Sequence, residues 1–214
     1  FRLIDLLTTI GWPAMMIAMI GDISVSSILP AFYNGYSIRK MSISALGNPK
    51  SPVRTPFNIW MLIEGLLFLL SIPAFFRIYS MVSPALAVTV SAFIAVFAVG
   101  ACIFTCFFSV NESKEQVTVA SKIHGAGSVI GFMLFLFVPL LVGILSFKNA
   151  ESGNGIFCIV CFVISLVFFA LFVMSDKPEF KGSFVDNEGL WQRLNLVFMY
   201  LPLVVISITR MTYL

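Results

Sequence analysis

Hydrophobic and polar positions do not alternate along this chain; they come in long blocks. Six apolar runs, at 6–31, 56–79, 84–109, 123–147, 155–174 and 190–213, each reach the length of about 20 residues that a helix needs to cross hydrocarbon. Strands of a membrane barrel would show a period of two, and these runs show none. The pattern therefore predicts an all-α polytopic membrane protein, one bundle of six transmembrane helices filling residues 1–214. The first run is too long for the apolar part of a cleavable signal and lacks a small-residue cleavage site, so it is read as a span.

The connections fall into two groups. Those at 32–55, 110–122 and 175–189 are long and polar, whereas 80–83 and 148–154 are brief. Six spans return the chain to its starting side, so the long loops share one face. That face carries nine Lys and Arg residues against four on the other, which by the positive-inside rule makes it cytoplasmic. Thr55 before Pro56 reads as an N-cap and first helical position. Trp12, Trp60 and Trp191 lie near span ends, as interfacial indoles do.

Composition agrees with lipid as the solvent. Hydrophobic residues make up 59% of the chain and charged residues 11%, with a mean hydropathy of +1.02; a soluble domain carries about 25% charged residues. Of the four cysteines, Cys102 and Cys106 are one helical turn apart and Cys158 and Cys161 form "CIVC". Their flanks are Ile, Phe and Val, without the polar or basic setting of reactive thiolates, so they read as small apolar filler. Asn111-Glu112-Ser113 fits a glycosylation sequon, a pattern common by chance.

Ionisable groups deep in a bilayer are functional suspects by default. Asp22 and Glu64 sit nine residues before Ala31 and eight after Pro56, each roughly 12–14 Å below the long-loop face at about 1.5 Å per residue. Two readings follow: acids that are protonated or bonded to Ser26, Asn58 or backbone and tie helices together, or a pair that shares a proton or takes up a proton or cation during transport. Gly11, Ala14, Ala18, Asp22 and Ser26 form one stripe of the first helix, and His124, Gly127, Ser128 and Gly131 one of the fourth. Such small-residue stripes face other helices, so His124, the only histidine, faces protein near the membrane edge. One histidine without ligand spacing does not predict a metal site, and no cofactor is expected. Ser128 and Ser44 are the candidate nucleophiles beside His124, and neither sits in a nucleophile-elbow sequence. Arg193, between Gln192 and Asn195, reads as a snorkelling residue or the partner of a loop acid.

Several motifs resemble the bacterial membrane proteins grouped as domain of unknown function 998. They are Pro30, Gly35-Tyr36, Ser44, Leu46-Gly47 and Gly65, then "IHGAGSVIGF" with His124 and Pro139, then "GLWQRL" with Gln192 and Arg193. Asp22 and Glu64 are not part of that pattern. The resemblance implies a multi-pass helical protein of the bacterial plasma membrane and no known activity. It also implies that Ser44, Gly47, His124, Gln192 and Arg193 share the long-loop face, with the first loop folded over the mouth of the bundle. Three functions remain open: a non-enzymatic binder or carrier of a lipid or small hydrophobic ligand, an intramembrane lipid hydrolase using His124, and an accessory subunit of a membrane complex. Membrane lipids, a second copy of the chain or a membrane protein are the expected partners, and nucleic acid is not.

Overall fold

The computed structural model describes residues 2–111 and 116–212. Among them every regular element is helical. Six helices are long and apolar enough to cross a membrane, which makes this a multi-pass membrane protein. The first is Arg2–Ile28, continued by a 3₁₀ turn, Leu29–Phe32; the second is Arg54–Tyr79 and the third span is Pro84–Phe107. The fourth span, Val119–Lys148, consists of two helices, Val119–Leu136 and Val138–Lys148. Ser152–Ser175 is the fifth helix and Glu188–Thr212 the sixth.

The ends differ from the sequence reading in ways that local chemistry explains. The second helix begins at Arg54 with Val53 as its cap and no side-chain bond there, so Thr55 is not the N-cap. The fourth span begins four residues before Ile123, because Thr118 and Ser121 cap it reciprocally: Thr118 Oγ1 accepts from the Ser121 amide at 3.1 Å and Ser121 Oγ from the Thr118 amide at 2.9 Å. Near Phe137 that span breaks. Pro139 has no amide to donate, and the Phe137 amide turns instead to Leu134 O at 3.1 Å. The third span widens into a π-helical stretch, Ala98–Ile103. Glu112, Ser113, Lys114 and Tyr213 lie outside the described residues, so the second and third residues of the sequon do too.

Packing follows the small residues. A Cβ on Gly11 would come within 2.6 Å of the Ala74 side chain, and one on Gly100 within 2.5 Å of Gly127 O. Only hydrogen at these positions lets the first helix close on the second and the third on the fourth. Four helices meet in an aromatic cluster: Phe68, Phe97, Phe135 and Tyr200. Phe68 meets Phe97 edge-on at 5.5 Å, Phe97 lies 4.4 Å from Phe135, and Tyr200 is 5.8 Å from Phe135. The fifth helix keeps Ile156, Val160, Val163 and Val167 exposed, an apolar face suited to acyl chains. Trp12 and Trp191 are buried among other helices rather than standing at the lipid interface. At the short-loop end Arg77 pairs with Asp5 at 2.6 Å and Arg210 with Glu151 at 4.0 Å.

The long first loop folds over the other end. Its 3₁₀ turn, Ile43–Gly47, buries Ile43 and Leu46. The Leu190 amide donates to Arg39 O at 3.1 Å, and the Ile43 amide to Gln192 Oε1 at 2.7 Å. This approach needs Gly189: a Cβ there would stand 2.2 Å from Met41 O and 2.3 Å from Ile38 O. Gly189→Ala should therefore push the loop off the sixth helix at a cost of about 1–3 kcal/mol. Trypsin cleavage after Arg39 or Lys40, both exposed, should become faster than in the wild type; an unchanged rate would show that the loop does not depend on this contact.

Candidate functional site

Closing the loop over the helices leaves a cavity of about 610 Å³ beneath it. Of the residues singled out in the sequence, Asp22, Ser44, Glu64, His124, Ser128 and Gln192 line it. Gly47 and Arg193 do not. Gly47 packs on Phe57 and Asn58, where a Cβ would come within 2.9 Å of the Phe57 ring.

Arg193 is buried within the protein at 8% exposure, so it does not snorkel. Its Nη1 donates to Ile38 O and Gly189 O, both at 3.0 Å. Nη2 donates to Ser26 O at 2.9 Å and Tyr36 Oη at 3.0 Å. One planar guanidinium thus joins the first helix, the first loop and the sixth helix. Ser26 O lies near a helix end and Ile38 O lies in the loop, so both carbonyls need a donor from outside. Beside this clasp, on the surface, Lys40 bonds the Asp186 carboxylate at 3.1 Å and also the Asp186 carbonyl. The Gly182 amide donates to Asp186 at 3.0 Å.

His124 is buried at 5% exposure. Its Nδ1 lies 3.1 Å from Phe108 O and 3.3 Å from Thr105 Oγ1. With Nδ1 protonated, the ring donates to a carbonyl just past the third span, one of the groups a helix end leaves unpaired. Nε2 is then the acceptor, with Ser128 Oγ 3.5 Å away. Ser44 Oγ pairs with Ser42 Oγ at 3.3 Å. The histidine stitches the third span to the fourth at the cavity mouth, and the serines give that rim hydroxyls.

The two acids belong to the deeper part. Asp22 is six residues from the end of its helix and Glu64 ten from the start of its own, or about 9 and 15 Å along the axis. Asp22 is held by neither Ser26 nor Asn58. Ser26 Oγ bonds Ile23 O at 3.2 Å, and Asp22 Oδ2 accepts from Tyr200 Oη at 2.8 Å. Glu64 is fully buried, and neither carboxyl oxygen has a hydrogen-bond partner among the described residues. Cys102, Trp60 and Tyr200 stand beside it, and Asp22 is near enough for the two charges to act on each other. Asn195, also fully buried, has neither side-chain atom paired among the described residues.

Tyr200 was not singled out from sequence, and Cys102 was read there as small apolar filler. A tyrosine in an apolar helix reads as core, and nothing in its neighbours points to a carboxylate 178 residues away. Cys102 lines the cavity beside Glu64 because the π stretch carries it there. All four cysteines are free thiols. Among the described residues no three of His, Cys, Asp and Glu gather as metal ligands.

A family profile described as "Protein of unknown function (DUF998)" matches residues 16–209. No curated protein matches the chain, and no solved structure does.

Two outcomes test the clasp. Arg193→Lys puts one point charge where two nitrogens reach four oxygens, so at least one buried carbonyl loses its donor; the expected cost is about 1–3 kcal/mol, read as a lower thermal midpoint in detergent. A midpoint equal to the wild type would refute the clasp. Asp186 titrates at about 2 rather than 3.8, chiefly through the Gly182 amide and then Lys40. A depressed value means the contact is complete above pH 3.8 and is lost as pH falls through about 2. Hydrogen exchange at the Leu190 amide, corrected for its intrinsic rate, should stay slow down to pH 4 and accelerate below it.

Proposed function

The chain belongs to the DUF998 family of proteins of unknown function, and from that premise we propose that it binds a lipid or small hydrophobic molecule in the cavity under its first loop. The carrying observation is the cavity itself. At about 610 Å³ it falls within the range of small-molecule sites, roughly 300–1,000 Å³. Its walls are mostly apolar, including Phe97, Phe132 and Phe172, with a few polar groups converging at two levels. The rim holds Ser44, His124 and Gln192, and the depth holds Asp22 and Glu64. That distribution suits a molecule with an apolar body and a polar group.

The function needs no chemistry from His124. The Nδ1 contacts give the ring a structural task, and the 3.5 Å to Ser128 is long for a base activating a nucleophile. On this reading the first loop is the cover of the site, so a ligand enters past it or from the bilayer between helices. The resemblance to bacterial membrane proteins and the excess of basic residues on the loop face support a plasma-membrane protein with this mouth toward the cytoplasm.

Native mass spectrometry of the chain released from nanodiscs tests the reading. The wild type should carry a bound hydrophobic molecule. Ala101→Phe, which adds a ring to the cavity wall where Ala101 is buried, should lose most of that adduct. Equal adducts on a folded Ala101→Phe would place the ligand elsewhere and end the proposal.

A further inference from the structure

We propose that the ligand of this cavity is a hydrophobic organic cation, with Glu64 as its counter-charge and Asp22 as a second acidic group. The inference rests on the binding reading above and adds the chemical class. Three observations carry it. First, the acidic residues lining the cavity are Asp22, Glu64 and Glu188; among the described residues no Lys or Arg lines it. An anionic headgroup would meet carboxyls and no cation, whereas a cation meets its complement.

Second, Glu64 is fully buried, lines the cavity, and has both oxygens without a hydrogen-bond partner among the described residues. Buried carboxyls elsewhere in proteins are paired or hydrogen-bonded. Asp22 meets that rule through Tyr200. Glu64 lines the cavity with Cys102, Trp60 and Tyr200 beside it and its demand unmet among the described residues. Arg193 does not answer it, since its terminal nitrogens are committed to four other oxygens.

Third, the wall is aromatic. Phe57, Phe97, Phe132, Phe169 and Phe172 all border the space. A ring presents a negative face, so rings around a carboxyl are a setting that favours a poorly hydrated cation. The low dielectric around them strengthens the charge–charge attraction, and a bulky organic cation loses little hydration on entering. A small inorganic ion would lose its water with too few oxygens to replace it.

Two ions of the same shape and opposite charge separate the outcomes. The full chain in nanodiscs is titrated with tetraphenylphosphonium and with tetraphenylborate, each against protein-free nanodiscs. The phosphonium should bind at least tenfold more tightly than the borate. Glu64→Gln, of nearly the same shape, should lower phosphonium affinity about tenfold and leave the borate unchanged; Asp22→Asn, which keeps an acceptor for Tyr200, serves if Glu64→Gln does not fold. Ala101→Phe should abolish binding. Equal affinity for the two ions, or phosphonium binding indifferent to both acid substitutions, overturns the cation assignment while the cavity reading stands. If neither ion binds, the cation assignment is overturned, while the adduct seen by native mass spectrometry decides the cavity reading; if Ala101→Phe binds the phosphonium like the wild type, the cavity reading fails and the assignment with it.

Discussion

Hydrocarbon cannot hydrogen-bond, so backbone groups within the membrane must find their partners in the protein or face a cavity. That constraint organises the molecule. Backbone amides and carbonyls are satisfied along the helices, and the exceptions are the places where structure becomes specific. Past the end of the third span the Phe108 carbonyl is met by His124. At the end of the first helix the Ser26 carbonyl is met by Arg193, which also meets the loop carbonyl of Ile38. His124 and Arg193, two residues of the polar group expected at the long-loop face, are thus used to close helix ends.

The cavity is a consequence of the same geometry. Glycines let helices pack backbone to backbone on one side, Gly11 on Ala74 and Gly100 on Gly127. On the other side the π stretch of the third span and the overlying loop keep the helices from closing completely. The Arg193 clasp fixes the loop over the gap, through Tyr36, whose hydroxyl in turn donates to Ser42 O at 2.8 Å. Ser42 and Ile43, held by that chain of contacts, become the roof of the space. A buried charge with four acceptors here serves register: it sets where the loop lies relative to two helices.

Much of this was legible in the residues. Continuous apolar runs gave the number of spans, because their length is set by bilayer thickness and owes nothing to partners. The buried stripe Gly11, Ala14, Ala18, Asp22 and Ser26 could also be read, since spacing at three and four residues has one meaning on a helix. The inward histidine followed from the same rule. What spacing could not give was the identity of partners. Asp22 was expected near Ser26 or Asn58 because those are close in sequence or on the adjoining helix; Tyr200, from the last helix, takes the bond. Arg193 was misread because a long cationic side chain at a helix start can reach either lipid phosphate or protein, and only the folded loop decides which.

By itself the sequence determined the solvent, the count of helices and the inward faces, all of them properties of a single helix against a bilayer. The tertiary structure decided which faces meet, that a cavity remains, and that Glu64 lies in its wall without a hydrogen-bond partner among the described residues. The reason is physical: length and periodicity are local, whereas a hydrogen bond between residues 22 and 200 depends on how six rods and a loop share one space.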